Sequence, residues 1–548
     1  MRLWIIFVAL IFISLTGCEK TPDASNAMDS NSKQAGKSVG HLRIPFNGSI
    51  STIDPSLTVD IASIELVEHL FLGLTDFDPK TYEVLPELAT SWEISEDTLS
   101  YIFKLREDVK WTNGEPVTAH DIVWAVKRNL DPKLDSYYVF TLFSLKNAED
   151  IYEGKADIST LGVKAIDDFT IEFQLAQPTA YFPALVSIWT YRPLPHKIIE
   201  AYGDDWTLAK NIQTNGSYRL ASWKKGNYIT LEKNDYYYDA DTINIKKIEY
   251  LIVPESSLGL AMYENNELDI IGEQYLRIPL RDIPRIKTNP YLSKELSVEP
   301  QFCTEFYGFN TRIAPTNNPL VRKAIAAAIN KQLLVDVVTK GNQTPATTFT
   351  RPPIFGAVNP EEKVGIQFDP IQAKQWLEEA GYPNAEGLPS IVLMHNNSEA
   401  HHDNAVAIQT MLKHYINVDV DVQEQGFDKY MDTLDQPTTP NMFRFGWCAD
   451  YPDANNWLYD VFHPTISPNW IGWNNQEFAK VVEVAQSEPD PKIRLQLYRR
   501  AEEILNTEET AIVPLYFATA LYLVKPWVND WYIMAFGGQQ IRNWSLAE

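Results

Sequence analysis

One stretch constrains the fold more than any other. Ile391–Met394 is a short apolar run, Asn404–Tyr415 reads as a helix, and Val418, Val420 and Val422 alternate with Asp419 and Asp421 as in a half-buried strand. Strand, helix and strand in that order form a βαβ unit, whose two strands must be parallel because the helix carries the chain back across the sheet. The alternation continues to an apolar segment at Met442–Trp447. A mixed α/β chain follows, with parallel sheet at least in the 300–450 region.

Other segments agree with this class. Leu320, Val321, Ala324, Ile325, Ala328 and Ile329 fall on one face of a helix. Asp369 and Pro370 open a second helix and Gly381 closes it, as an N-cap, an N1 proline and a C′ glycine. Phe169–Leu175 alternates apolar and polar residues, the pattern of a half-buried strand. No repeat of solenoid period is present.

Composition narrows the function. The 72 acidic and 47 basic side chains leave a formal charge of −25, which argues against a nucleic-acid partner, since no broad cationic face could neutralise phosphates. An aromatic content of 12% and a hydrophobic content of 45% exclude a disordered chain. Three cysteines cannot staple 548 residues, so large apolar cores must hold the fold.

The first residues set the compartment. Arg2 precedes the apolar run Leu3–Ile13, which has the length of a signal-peptide core and is too short to span a bilayer. Leu15-Thr16-Gly17-Cys18 resembles a bacterial lipobox, in which the cysteine becomes the lipidated first residue. Residues 1–17 are therefore expected to be a lipoprotein signal peptide, Cys18 the lipidation site, and 18–40, which has almost nothing to bury, a flexible tether. Cys303 and Cys448 then remain. Outside the cytoplasm they could pair, closing a loop of about 145 residues and stabilising by roughly 4–5 kcal/mol in the chain-entropy model, or stay as buried free thiols.

Catalytic signatures are missing: HExxH, GxSxG, GxxxxGK[ST], CxxC and GxGxxG do not occur. No cofactor and no metal is expected. His401 and His402 are adjacent and His395 is near, but zinc needs three convergent ligands, and adjacent histidines on a strand or loop rarely converge.

The segment Leu85–Arg128, LPELATSWEISEDTLSYIFKLREDVKWTNGEPVTAHDIVWAVKR, resembles the extracellular solute-binding proteins of the peptide/nickel family, which serve ABC importers. Thr214-Asn215-Gly216-Ser217-Tyr218 is similar to that family's TNGxY turn. Gly446-Trp447-Cys448-Ala449-Asp450-Tyr451 and Phe302-Cys303-Thr304 resemble its oligopeptide-binding branch, and Ala511–Tyr516 with Leu523–Trp527 fits as well. The resemblance implies a bilobed periplasmic-binding-protein fold of type II (cluster C) with an inserted domain. Lobe I would comprise 41–75, 200–302 and 517–548, the insertion 76–199, and lobe III 303–516, with interlobe crossings near Cys303 and Tyr516. It also implies a non-enzymatic, monomeric receptor of the bacterial cell envelope, in the periplasm or on the outer face of the cytoplasmic membrane. Its partners would be an oligopeptide, the permease of an ABC transporter and the membrane through Cys18.

A receptor for many peptide sequences must hold what all peptides share. Main-chain groups can be paired as an added strand, and the α-ammonium needs a carboxylate, because burying it unpaired is costly. Asp450 follows the Met442–Trp447 segment, where open α/β sheets place ligands, and matches the family aspartate that takes the ammonium. The alternative is a solvated turn aspartate. Arg444, Lys340 and His401 match family positions for the peptide carboxylate, the alternatives for the last two being a surface lysine and a loop histidine. Trp447, Tyr138 and Phe427 match side-chain pocket positions, with core packing as the alternative. Cys303 and Cys448 align with the family's paired cysteines.

Three departures stand out. Ser63 replaces a family glutamate, a second binding arginine is lost near Leu434, and a backbone-binding asparagine falls near Gly272–Glu273. The cargo is thus open to a murein peptide, nickel, haem or an oligosaccharide. A secreted hydrolase and a surface sensor or adhesin are the rival classes.

Overall fold

The computed structural model describes residues 40–48, 50–340, 343–465 and 469–547. The expected signal segment, Cys18 and the tether as far as residue 39 lie outside the described residues. Among those described, no helix is long and apolar enough to cross a membrane.

Three sheets organise the chain, and the α/β reading holds. The first runs in the order His41–Phe46, Lys247–Ile252, Tyr228–Lys233, Tyr218–Lys224, with the outermost pair His41–Phe46 and Lys247–Ile252 parallel. Leu42, Ile44 and Phe46 go to the core in alternation with His41 and Arg43, as a pleated strand requires. The second sheet lies wholly between residues 89 and 174, in the order Ala89–Ile94, Ser100–Leu105, Thr170–Gln174, Val163–Asp167. Its strand Thr170–Gln174 is the alternating segment read from sequence: Ile171 and Phe173 are fully buried.

The third sheet has seven strands. Its path is Ile270–Gly272, Ile512–Val524, Leu296–Phe309, Met442–Cys448, Ile391–Asn396, Val420–Gln425, with Thr344–Pro345 paired beside Ile512–Val524. Ile391–Asn396 is parallel to both Val420–Gln425 and Met442–Cys448, so the βαβ unit is present. Its helix, Glu399–Ile416, starts earlier than apolar spacing suggested, because Glu399–Asp403 is polar and its first turn lies at the surface. Helices Pro319–Ala327 and Pro370–Glu379 cover the sheet, the second capped by Asp369, which accepts from the amides of Ile371 and Gln372 at 3.1 and 3.0 Å.

Two of these strands are unusually long. Leu296–Phe309 and Ile512–Val524 run antiparallel, from Leu296 opposite Leu523 to Gly308 opposite Ile512. At one end Ile512–Val524 pairs with Ile270–Gly272; at the other Leu296–Phe309 pairs with Met442–Cys448. Cys303 and Tyr516 both lie in this pair. The ladder is broken between Pro300 and Thr304, where Gln301, Phe302 and Cys303 stand against Ala518 alone. Arg351 fills the gap: its buried guanidinium donates to the carbonyls of both Gln301 and Ala518. Burial lowers its pKa to about 10.

Candidate functional site

Asp450 leaves the end of the strand Met442–Cys448 just after a fixed point. Cys448 lies opposite Cys303 and the two form a disulfide, while the Ala449 amide donates to the Phe302 carbonyl at 2.8 Å. The next element, helix Asn455–Phe462, supplies a brace. Asn456 Oδ1 accepts from the Asp450 amide at 2.9 Å and from Trp447 Nε1 at 3.3 Å. Its Nδ2 donates to Asp450 Oδ2 and to Asp460 Oδ2, both at 3.1 Å. Asp460 also accepts from Tyr451 Oη at 2.9 Å, and Tyr451 stacks on Tyr181 with ring centroids 5.0 Å apart.

This arrangement sets the electrostatics. Burial raises the pKa of Asp450 above the usual carboxylate value, with the Asn456 bond acting against it. Asp460, half-buried, is pushed up to about 6 by burial. Oδ1 of Asp450 has no hydrogen-bond partner among the described residues. A partly buried carboxylate with one uncommitted oxygen favours a cationic or N–H-bearing partner.

Asp450 lines a narrow cleft of about 40 Å³, walled by Glu68 of helix Ile61–Leu70, by Trp189 and Arg192, and by Phe536 and Gln540. Arg192 is committed to Glu68 at 2.5 Å. Tyr138 meets Trp189 edge-on with centroids 4.8 Å apart. Burial, with the nearby charge of Asp450, pushes the Tyr138 phenol up to about 12. Asp450, Trp447 and Tyr138 therefore belong to one neighbourhood.

The other expected residues are placed differently. Arg444 is held by a bidentate ion pair: Nε donates to Glu305 Oε1 at 2.6 Å and Nη2 donates to Oε2. Its backbone carbonyl accepts from Tyr430 Oη. His401 is not on a loop but in the first turn of the helix Glu399–Ile416, where burial and then the Arg444 charge lower its pKa to about 4. A neutral imidazole offers a hydrogen bond rather than a charge. Lys340 is exposed, at a left-handed φ of 65°. Phe427 opens the helix Phe427–Leu434 and is 59% exposed, so core packing does not account for it.

The departures also find places. Ser63 is buried and donates to Asp60 Oδ2 at 2.7 Å. Leu434 lies in the apolar core beside Tyr430 and Phe443. Gly272 packs so tightly on the crossing strand that a Cβ there would stand 2.2 Å from Tyr522 Cδ1.

A family model for "Bacterial extracellular solute-binding proteins, family 5 Middle" matches residues 83–469. The chain belongs to this family. Family 5 members are solute-binding proteins rather than enzymes, and the bilobed type II fold is theirs. The oligopeptide-binding protein OppA of Bacillus subtilis is 33% identical over 538 residues, covering 96% of this chain and 95% of its own. Among solved structures, the periplasmic murein tripeptide binding protein MppA in its unliganded open form superposes with a TM-score of 0.85 at 28% identity, covering 93% of this chain and 98% of that one. Haemophilus influenzae OppA in complex with RPPGFSPFR gives 0.66 at 28% identity, with 93% and 100% covered.

Sequence reasoning missed Asn456, Glu305 and Trp189. Asn456 sits between Asn455 and Trp457 in a helix whose polar residues are as buried as its apolar ones, so no apolar period marks it. Glu305 lies in a stretch, Thr304–Phe309, that is buried throughout, and only the pairing of this strand with Met442–Cys448 brings it to Arg444.

Proposed function

We propose that this protein captures oligopeptides between its lobes and delivers them to an ABC permease, held at the membrane by a lipid on Cys18. It works in the bacterial cell envelope, in the periplasm or on the outer face of the cytoplasmic membrane. The peptide ammonium pairs with Asp450, whose uncommitted oxygen in the cleft is the observation that carries this reading. Trp447, Tyr138, Trp189 and Phe427 line the side-chain pockets. The carboxylate end goes to Arg444, with His401 as a neutral hydrogen-bond donor and Lys340 serving longer peptides. Binding shifts the open form toward a closed one that the permease recognises, without covalent chemistry.

The relatives' names support peptide cargo: an oligopeptide-binding protein covers 96% of the chain, and a relative covering 93% of it is solved in complex with RPPGFSPFR. Titration calorimetry with one peptide in free and N-acetylated forms tests the reading. Tight binding of the free peptide and at least tenfold weaker binding of the acetylated one is expected; equal affinities would overturn the role of Asp450.

A murein peptide is the second reading, favoured by the changed positions Ser63, Leu434 and Gly272 and by the overlap with MppA. Mass spectrometry of ligand released from purified protein separates the two.

A further inference from the structure

Behind helix Glu399–Ile416 lies a group of side chains that the peptide reading does not use. His395, on the strand Ile391–Asn396, is fully buried. Its Nδ1 lies 3.0 Å from the Asn396 carbonyl. A carbonyl only accepts, so Nδ1 carries the proton, and in the neutral ring Nε2 is left as a bare lone pair. That nitrogen is buried and has no hydrogen-bond partner among the described residues. Buried acceptors are seldom left this way.

Two further donors converge on it. Glu424 is the register partner of His395 on the neighbouring parallel strand, so both side chains leave the same face of the sheet. His402 comes down from the first turn of the helix, its ring centroid 5.5 Å from that of His395. One ligating atom from each of the three lies within 4.8 Å of the others. A strand and a helix bring His395 and His402 together, whereas the adjacent pair His401 and His402 does not converge: His401 is not part of the group.

The geometry points to a binding site for a zinc-class divalent ion made by His395 Nε2, His402 and Glu424. Two imidazoles and a carboxylate are a donor set that suits zinc or nickel over calcium or magnesium. A metal-ligating histidine characteristically donates its other N–H to a carbonyl, as His395 does to Asn396. Bonds of about 2.0–2.1 Å require the three atoms to draw together. His402 and Glu424 are exposed and free to rotate inward, while His395 is the fixed point. The bound ion ties the start of the helix to two strands of the sheet. None of the three residues lines the cleft at Asp450, and none is among the residues assigned to the peptide, although His402 follows His401 directly in the chain.

The test is calorimetry with zinc chloride on the full chain, produced without a polyhistidine tag and stripped with chelator. One equivalent of zinc is expected. H402A and E424Q should each weaken binding at least tenfold, whereas H414A, on the far end of the same helix, should leave it unchanged. H395Q, which keeps a polar group if alanine disrupts the core, should abolish it. An anomalous-scattering peak at the zinc edge should lie between the three side chains. Absence of saturable binding, unchanged affinity in both H402A and E424Q, or a peak elsewhere would overturn the proposal.

Discussion

The guanidinium of Arg444 and the carboxylate of Glu305 face each other across neighbouring strands, locked in a two-point contact that is largely withdrawn from water. A peptide carboxylate that arrives at Arg444 must share it with Glu305. E305A removes the competitor and leaves a buried cation unpaired, which costs about 3 kcal/mol. Urea denaturation should show that loss. Carboxylate-bearing peptide should then stabilise E305A more than the wild type; equal stabilisation would mean that Arg444 does not meet the ligand.

Acid should weaken capture through Asp450. Burial holds its folded-state pKa above the usual value of 3.8. For the unliganded protein this carboxyl therefore favours folding at low pH, and that contribution is lost as pH rises from the usual value through the raised one. An ammonium ligand reverses the preference by pairing with the anion. Affinity for a free peptide should fall as pH drops through that window, with proton release on binding. Calorimetry in buffers of different ionisation enthalpy reads it directly, and the N-acetylated peptide and D450N should show neither effect.

Asn456 joins two carboxylates that would otherwise repel. N456A leaves Asp450 without its brace and Asp460 short of a donor, and should cost about 1–3 kcal/mol in stability. Peptide affinity should fall about tenfold, because the carboxylate is no longer held toward the cleft. N456D, which adds a third acid, should be worse than alanine at neutral pH and recover toward it below pH 6, where Asp460 takes up a proton.

The bond Cys303–Cys448 joins residues 145 apart in the chain. Replacing both with serine should reduce stability by roughly 4–5 kcal/mol in the chain-entropy model. Because Asp450 leaves the sheet two residues beyond Cys448, peptide affinity should drop with it. A variant that loses stability yet binds normally would show that Asn456 alone positions Asp450.

Local patterns carried much of the fold. Asp369 caps its helix and the βαβ unit stands where alternation placed it, with Val420–Gln425 beginning two residues later than Val418. Asp450 and Tyr138, remote in sequence, share a neighbourhood that family resemblance alone anticipated. What escaped depends on register between distant strands. Glu305 gains its partner only when Leu296–Phe309 pairs with Met442–Cys448, and Arg351 has a purpose only where that strand's other ladder is broken. Nothing in the immediate sequence around either residue encodes those alignments.

The two long strands have a further consequence. Both belong to one seven-stranded sheet, each with a different further neighbour, and Arg351 pins them together at the irregular step. A fragment that ends inside either strand could not be self-sufficient, since the cut would strip an interior strand from this sheet. Hybrids made by exchanging segments between relatives would have to preserve this ribbon's slipped alignment, which makes the paired strands a poor place to splice.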